Sequence, residues 1–324
     1  MKRLVLYHAG CADGFAAAMV ARAALELPDL EAPANFPELR PVQYGDPIPD
    51  AEDVADAEVW VVDFSWPMAE LEELARRARA VTVFDHHKSA AHLADIPTPT
   101  AIRRAGLAAE VPYLAAVFDP NRSGARIVWD VAIEHGLLND EFLDLFAWVV
   151  DYTEDRDLWR WKLKDSREVS AAIQTLETHP QRGISQWIGL ASDGKRAAAR
   201  AGRWIERYRR REINAAKARA CVRVVQLAAG RYEVPVVNVS GRILSEVVGE
   251  LAVGHAFAAG WHAREDGQVI VNLRAAAGTS IDVGAIAKLQ GGGGHPGAAG
   301  FTLPSITEAR DLLGYGIPVA EFAS

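Results

Sequence analysis

The sequence has 324 residues, half of them hydrophobic and 24% charged, which excludes chain-wide disorder and makes two domains the natural expectation. Its 43 acidic against 35 basic residues give a formal net charge of −8, which argues against coating nucleic acid or anionic membrane through bulk positive charge. Two cysteines, Cys11 and Cys221, supply no disulfide framework, and the apolar run before His8 is too short for a leader or a membrane span. A reducing, cytoplasmic setting without membrane contact is therefore expected.

In chain order, Leu4 to Tyr7 reads as a strand and Gly14 to Leu27 as an alanine-rich helix stopped by Pro28. Glu58 to Val62 reads as a strand, Ala69 to Arg79 as a helix, and Val81 to Phe84 as a third strand. These strands are continuously apolar, as in a parallel sheet covered by helices on both faces. The first half is thus expected to be α/β with right-handed crossovers. Ser123 to about Tyr152 has a helical pattern. Lys195 to Arg219 reads as a long helix dense in basic residues, including Arg207, Arg209, Arg210 and Arg211. Such a helix is either a solvated connector or a basic wall that attracts polyanions. Strand and helix signals resume at Val222 to Leu227, Val234 to Val239, Leu244 to Leu251 and Val269 to Leu273. The expected division is 1–194, a linker helix 195–221, and a smaller α/β domain 222–324, with an active site in the cleft between the domains.

Three predicted strands run directly into residues that bind metals. The first ends at His8, with Cys11 and Asp13 beyond; the second at Asp63; the third at Asp85, His86 and His87. In an open α/β sheet the site lies beyond the carboxyl ends of the strands, so neighbouring strands would bring these groups together. A mixed histidine and carboxylate set suits Mn²⁺, Co²⁺, Fe²⁺ or Zn²⁺ better than Mg²⁺ or Ca²⁺. A shared carboxylate could bridge two ions roughly 3.5–4 Å apart. Taken singly, Asp63 or Asp85 reads as a turn former or helix cap; their coincidence at three strand ends favours a metal site.

The runs His8-Ala9-Gly10-Cys11-Ala12-Asp13-Gly14-Phe15, Asp63-Phe64-Ser65 and Asp85-His86-His87-Lys88 resemble the first three motifs of the DHH phosphoesterase superfamily. Asp155, in Asp155-Arg156-Asp157-Leu158-Trp159, is the best match to the fourth, with Asp151 and Asp157 less favoured. Gly291 to Gly300 resembles the glycine-rich signature of the DHH-associated domain. The resemblance implies that Asp13, Asp63, His86 and Asp155 bind one ion, and that His8 and Asp63 bind a second. It implies Mn²⁺ or Co²⁺ as cofactor, as one or two ions. His87 would contact the phosphoryl group, and Asp85 would orient its neighbours. Cys11 stands where the family commonly has aspartate; it is either a thiolate ligand favouring softer ions or a small buried side chain.

On the substrate side, Gly292, Gly293 and Gly294 before His295 lack Cβ atoms and so let a backbone approach an anion closely. The resemblance assigns Arg274 to a substrate phosphate. Ser123 and Gly124 start a helix that either accepts a phosphate at its N-terminus or is simply serine-capped. Trp159, Trp161 and Trp261 either stack a base or fill core. The expected activity is hydrolysis of phosphate esters in small nucleotides, such as short oligonucleotides or cyclic nucleotides. A polyphosphatase and a non-catalytic nucleotide sensor are the alternatives. The oligomeric state is open, a homodimer being one option.

Overall fold

A computed structural model describes residues 2–26, 36–99 and 113–314, which divide into two compact units, 1–206 and 207–324. In the first unit five strands form an all-parallel sheet: β1 (Arg3–His8), β2 (Glu38–Val42), β3 (Glu58–Val62), β4 (Ala80–Asp85) and β5 (Tyr113–Phe118), in the order β2-β1-β3-β4-β5. The chain leaves β1 toward β2 and then reverses to β3 on the other side. The β1/β3 boundary is therefore the topological switch point, where the strand ends open a crevice.

Alternate strand residues feed two separate cores. Val5, Tyr7, Trp60, Val62 and Phe84 face one way, and Leu4, Leu6, Val59, Val61, Val81 and Val83 the other. The first face is covered by α1 (Ala12–Glu26), with α4 (Gly124–Glu134), α5 (Asp140–Asp157), α6 (Ser166–Ile173) and the first half of α7 (Pro180–Lys217). The second is covered by α3 (Met68–Arg77), preceded by the single turn α2 (Ala51–Val54). The ends of the helices follow local chemistry. Ser123 Oγ accepts from Arg126 N to cap α4, and Asn139 Oδ1 accepts from Phe142 N at 2.8 Å to cap α5.

The second unit holds a six-stranded mixed sheet: β6 (Cys221–Leu227), β7 (Gly230–Asn238), β8 (Phe257–Ala263), β9 (Val269–Ala275), β10 (Gly293–His295) and β11 (Ala298–Leu303). The order is β10-β11-β9-β8-β7-β6, antiparallel except between β7 and β8. One face packs on α9 (Val283–Leu289) and α10 (Ile306–Leu312), the other on α8 (Gly241–Leu251) and on Ile213 and Ala216 of α7. No helix among the described residues is long and apolar enough to cross a membrane.

Several elements depart from the sequence reading. The helix expected to stop at Pro28 spans Ala12–Glu26, and Leu27 and Pro28 lie outside the described residues. The region Ser123 to Tyr152 contains two helices parted at Gly136, whose φ is +64°. The basic helix begins earlier, at Pro180, and breaks at Gly194 (φ 79°, ψ 163°), a conformation that favours glycine.

Two glycines let α1 and α4 close on the switch point. A Cβ at Gly14 would lie 2.4 Å from His8 O, and one at Gly124 would lie 2.6 Å from Asp63 Cβ. The Gly124→Ala variant is expected to lose about 1–3 kcal/mol in chemical denaturation, because backbone and a buried side chain must move. Gly189→Ala, with nothing within 4 Å of the added Cβ in helix α7, should be neutral or gain up to about 1 kcal/mol. Equal effects at the two positions would contradict the close packing around Asp63.

Candidate metal centre

The site is built around Asp63, the first residue beyond β3. It is 1% exposed and holds a left-handed backbone, φ +55°, unusual for a residue with a Cβ. Its N–H donates to Phe84 O at 2.8 Å, which fixes the turn. Neither carboxylate oxygen has a hydrogen-bond partner, and His8 Nδ1 has none. His8 Nδ1 stands 3.5 Å from Asp63 Oδ2, and His86 Nε2 3.1 Å from Asp63 Oδ1, without hydrogen-bonding geometry. Unpartnered buried carboxylate oxygens facing imidazole nitrogens are what a cation would satisfy.

Asp13, in the first turn of α1, faces the same point. Its Oδ2 accepts from Gly124 N at 2.6 Å and its Oδ1 from Ala125 N at 3.1 Å. The α4 N-terminus therefore holds Asp13. Of the two readings of Ser123 and Gly124, the contacts among the described residues are those of a capped helix: the Gly124 N–H donates to Asp13 and the fully buried Ser123 serves as cap.

The fourth-motif residue also differs. Asp155 turns away from the cluster: it accepts from Lys162 N at 2.9 Å, Leu163 N at 3.3 Å and Ser166 Oγ. It anchors a loop in which Trp159, Trp161 and Asp165 all have positive φ. Asp151 is engaged by Arg126. Asp157 reaches the centre, with Oδ2 3.6 Å from His86 Nε2. Both sides of α5 are buried at this end, Asp155 at 4% exposure more so than Asp157, and the two differ in what their oxygens face: backbone N–H groups of the following loop for Asp155, the His86 ring for Asp157.

Among the described residues, donor atoms fall into three overlapping groups, each within 4.8 Å: His8, Cys11 and Asp63; Asp63, His86 and His87; Asp13, His86 and Asp157. The electrostatics match. Burial, reinforced by the Asp63 and Asp157 charges, pushes Asp13 well above the usual carboxylate range, and burial beside Asp63 raises Asp157. Burial would raise Asp63 too, but the His8 and His86 rings hold it well below. Burial, then Asp63 and Asp13, lifts the Cys11 thiol. Three carboxylates crowded in low dielectric call for positive charge, so the residues present fit one or two divalent ions.

Asp85, fully buried, organises the histidines. Its Oδ1 accepts from His86 N at 2.7 Å and His87 N at 3.1 Å, and lies 2.7 Å from His87 Nδ1. Burial opposes protonation of His87, but the Asp85 contact and the Asp63 charge raise its pKa to about 9. With Nδ1 held by Asp85, Nε2 is the nitrogen left for other partners.

In the second unit, register places His295 opposite Ala298 and Ala298 opposite Arg274. Arg274 and His295 therefore share one face of the sheet, two strand spacings apart, roughly 10 Å. Arg274 donates to Ser245 Oγ, and burial lowers its pKa. The glycines serve different ends. A Cβ at Gly292 would lie 2.1 Å from Gly300 O and one at Gly294 2.5 Å from Ala298 O, so packing demands both. Gly293 alone of the three is open. Trp261 is 8% exposed and fills the core of this sheet.

Residues 231–314 match the family model of the DHHA1 domain. The second unit thus carries that domain, in agreement with the reading of Gly291 to Gly300 as the glycine-rich signature of the DHH-associated domain. No curated protein matches the sequence. Among solved structures, the chain is similar to the pGpG-specific phosphodiesterase PggH from Vibrio cholerae, at 14% identity over 95% of each chain, with a TM-score of 0.49. It is also similar to RecJ in complex with Mn²⁺ from Thermus thermophilus, at 16% identity and a TM-score of 0.47, over 96% of this chain and 50% of that one.

Asp157→Asn and Asp155→Asn should separate binding from folding. Asp157→Asn is expected to weaken Mn²⁺ affinity in calorimetric titration while leaving the metal-free protein equally or more stable, since it thins the crowded carboxylates. Asp155→Asn should cost about 2–4 kcal/mol of stability through lost charged hydrogen bonds, with the smaller effect on Mn²⁺. The reverse pattern would restore Asp155 as the ligand.

Proposed function

We propose that this protein is a divalent-metal-dependent phosphoesterase that hydrolyses phosphodiesters in small nucleotides, such as short oligonucleotides or cyclic nucleotides. The observation that carries the reading is the buried Asp63 carboxylate, without hydrogen-bond partners, ringed by His8, Asp13, His86 and Asp157 at the switch point of a parallel sheet. The DHHA1 match supports it, since that domain accompanies the Asp-His-His motif in the family the sequence resembles.

Asp13, Asp63, His86 and Asp157 would hold one ion, and His8, Asp63 and Cys11 a second, with Asp63 shared. Mn²⁺ or Co²⁺ suits this donor set, and Cys11 in particular favours Co²⁺ or Zn²⁺ at its position. When bound, such ions supply a nucleophile from water at neutral pH and offset charge on a phosphoryl oxygen. The chain's own groups do the rest. Asp85 keeps the His87 ring fixed, and His87 Nε2 donates to a phosphoryl oxygen, where negative charge grows in the transition state. The α4 N-terminus stabilises ionised Asp13. Arg274 and His295 on the second sheet would take a further substrate phosphate.

After chelation and readdition, Mn²⁺ or Co²⁺ should restore hydrolysis of bis-p-nitrophenyl phosphate and of a dinucleotide. Asp63→Asn should cut turnover by more than about 100-fold, the upper range for groups that merely support a ligand. Full activity without metal, or in Asp63→Asn, would overturn the reading. Nucleotide binding without turnover under any ion would favour a sensor. In the Co²⁺ form, Cys11→Ser should abolish a sulfur-to-cobalt charge-transfer band while Co²⁺ stays bound through the remaining ligands; an unchanged spectrum would remove Cys11 from the set.

A further inference from the structure

The basic half of α7 has two sides of different character. Its inner side is committed: Ala198 and Ala199 pack in the core of the first unit, Ile213 and Ala216 in that of the second. A Cβ at Gly202 would lie 1.6 Å from Glu168 O, so this side lies directly on backbone. Arg209 pairs with Glu246 at 2.7 Å, and Arg210 and Lys217 engage Glu250. Those basic residues are structural.

The outer side is exposed. Arg196, Arg200, Arg203, Arg207 and Arg211 are all exposed, and so are Trp204 and Tyr208, at 66% and 65%. At 3.6 residues per turn these seven fall within about 140° of the helix circumference. The other residues of that arc between 196 and 215 are Ala197, Asn214 and Ala215, so it contains no carboxylate. From Arg196 to Arg211 it runs about 22 Å, roughly six phosphate spacings of a stacked strand. A chain of net charge −8 thus concentrates on one helical face five arginines around two large exposed aromatics.

We propose that this face binds single-stranded nucleic acid, as a second contact outside the metal centre. Arginines take the phosphates, and Trp204 and Tyr208, one turn apart, stack on bases without regard to sequence. An anionic membrane would be attracted by the same charge, but it needs a broad apolar face to insert, and the apolar side of this helix is already buried in protein. The proposal goes beyond the hydrolytic reading and does not depend on it.

The test uses the full chain, a fluorescein-labelled single-stranded 12-mer with phosphorothioate linkages, and a dinucleotide of the same chemistry. Fluorescence anisotropy should show at least about 10-fold weaker 12-mer binding for Arg200→Gln/Arg203→Gln/Arg211→Gln. The slope of log affinity against log salt should become shallower by about 2, near 0.7 for each arginine removed. Trp204→Ala/Tyr208→Ala should lose at least about fivefold for the 12-mer. Dinucleotide affinity and bis-p-nitrophenyl phosphate turnover should stay as in wild type for both variants, which also verifies folding. Unchanged 12-mer affinity in both variants overturns the proposal, as does an equal loss for the dinucleotide. Charge-dependent binding to phosphatidylserine vesicles with no competition from the 12-mer overturns it in favour of a membrane surface. If the wild type hydrolyses nothing yet binds the 12-mer through this face, the hydrolytic reading fails and this one stands.

Discussion

The first unit depends on one electrostatic problem: a carboxylate, Asp63, is taken fully out of water and given no hydrogen bond. An isolated buried carboxylate is costly, and the ordinary remedy is to protonate it. Here two imidazole rings hold it ionised, while the neighbouring Asp13 and Asp157 are pushed the other way by burial and by the charge of Asp63. A divalent cation among them would offset that crowding. The left-handed turn at Asp63, Gly14 and Gly124 against it, and the α4 N-terminus held on Asp13 all bring negative groups closer than a stability-driven fold would choose. Local conflict of this kind is the mark of a functional site.

Carboxylates of the same type do four different jobs within this small volume, and environment assigns them. Asp63 is shared among donor groups. Asp13 is held by backbone N–H groups, which fix its orientation. Asp85 faces away and fixes two histidines. Asp155, two residues from Asp157, ties down a loop whose left-handed tryptophans need an anchor. None of these roles is visible in the residue type, and each is visible in what the oxygens touch.

What the sequence made legible follows from this. The central strands β3 and β4 announce themselves because both faces are buried, so their residues are uniformly apolar. Edge strand β2 does not: Pro41 and a half-exposed, charged run suit only an edge, where a missing N–H is harmless. Strand β8 is hidden by Ala258, Ala259 and Gly260; at Gly260 a Cβ would meet Val248 and Leu244 of α8, which press on the sheet there. Within the candidate site, the clustering of His8, Asp13, Asp63 and His86 was legible because strand ends are fixed in sequence. Asp157 was legible only as a less favoured candidate, because residue type and position do not say which of Asp155 and Asp157 turns its oxygens into the following loop. The helix start at Ser123 was legible with two readings left open, because the partner of the Gly124 N–H, Asp13, lies 111 residues earlier in the chain.

The proposed centre places metal on Asp63 with Asp13, His86 and Asp157 as its neighbours. The most direct measurement is an anomalous difference map collected above the Mn absorption edge from crystals of the Mn²⁺-loaded protein. The account predicts a peak in contact with Asp63, His86 and Asp157. Density at Asp155 with Asp157 unligated, or a peak only at a site that does not touch Asp63, would contradict it.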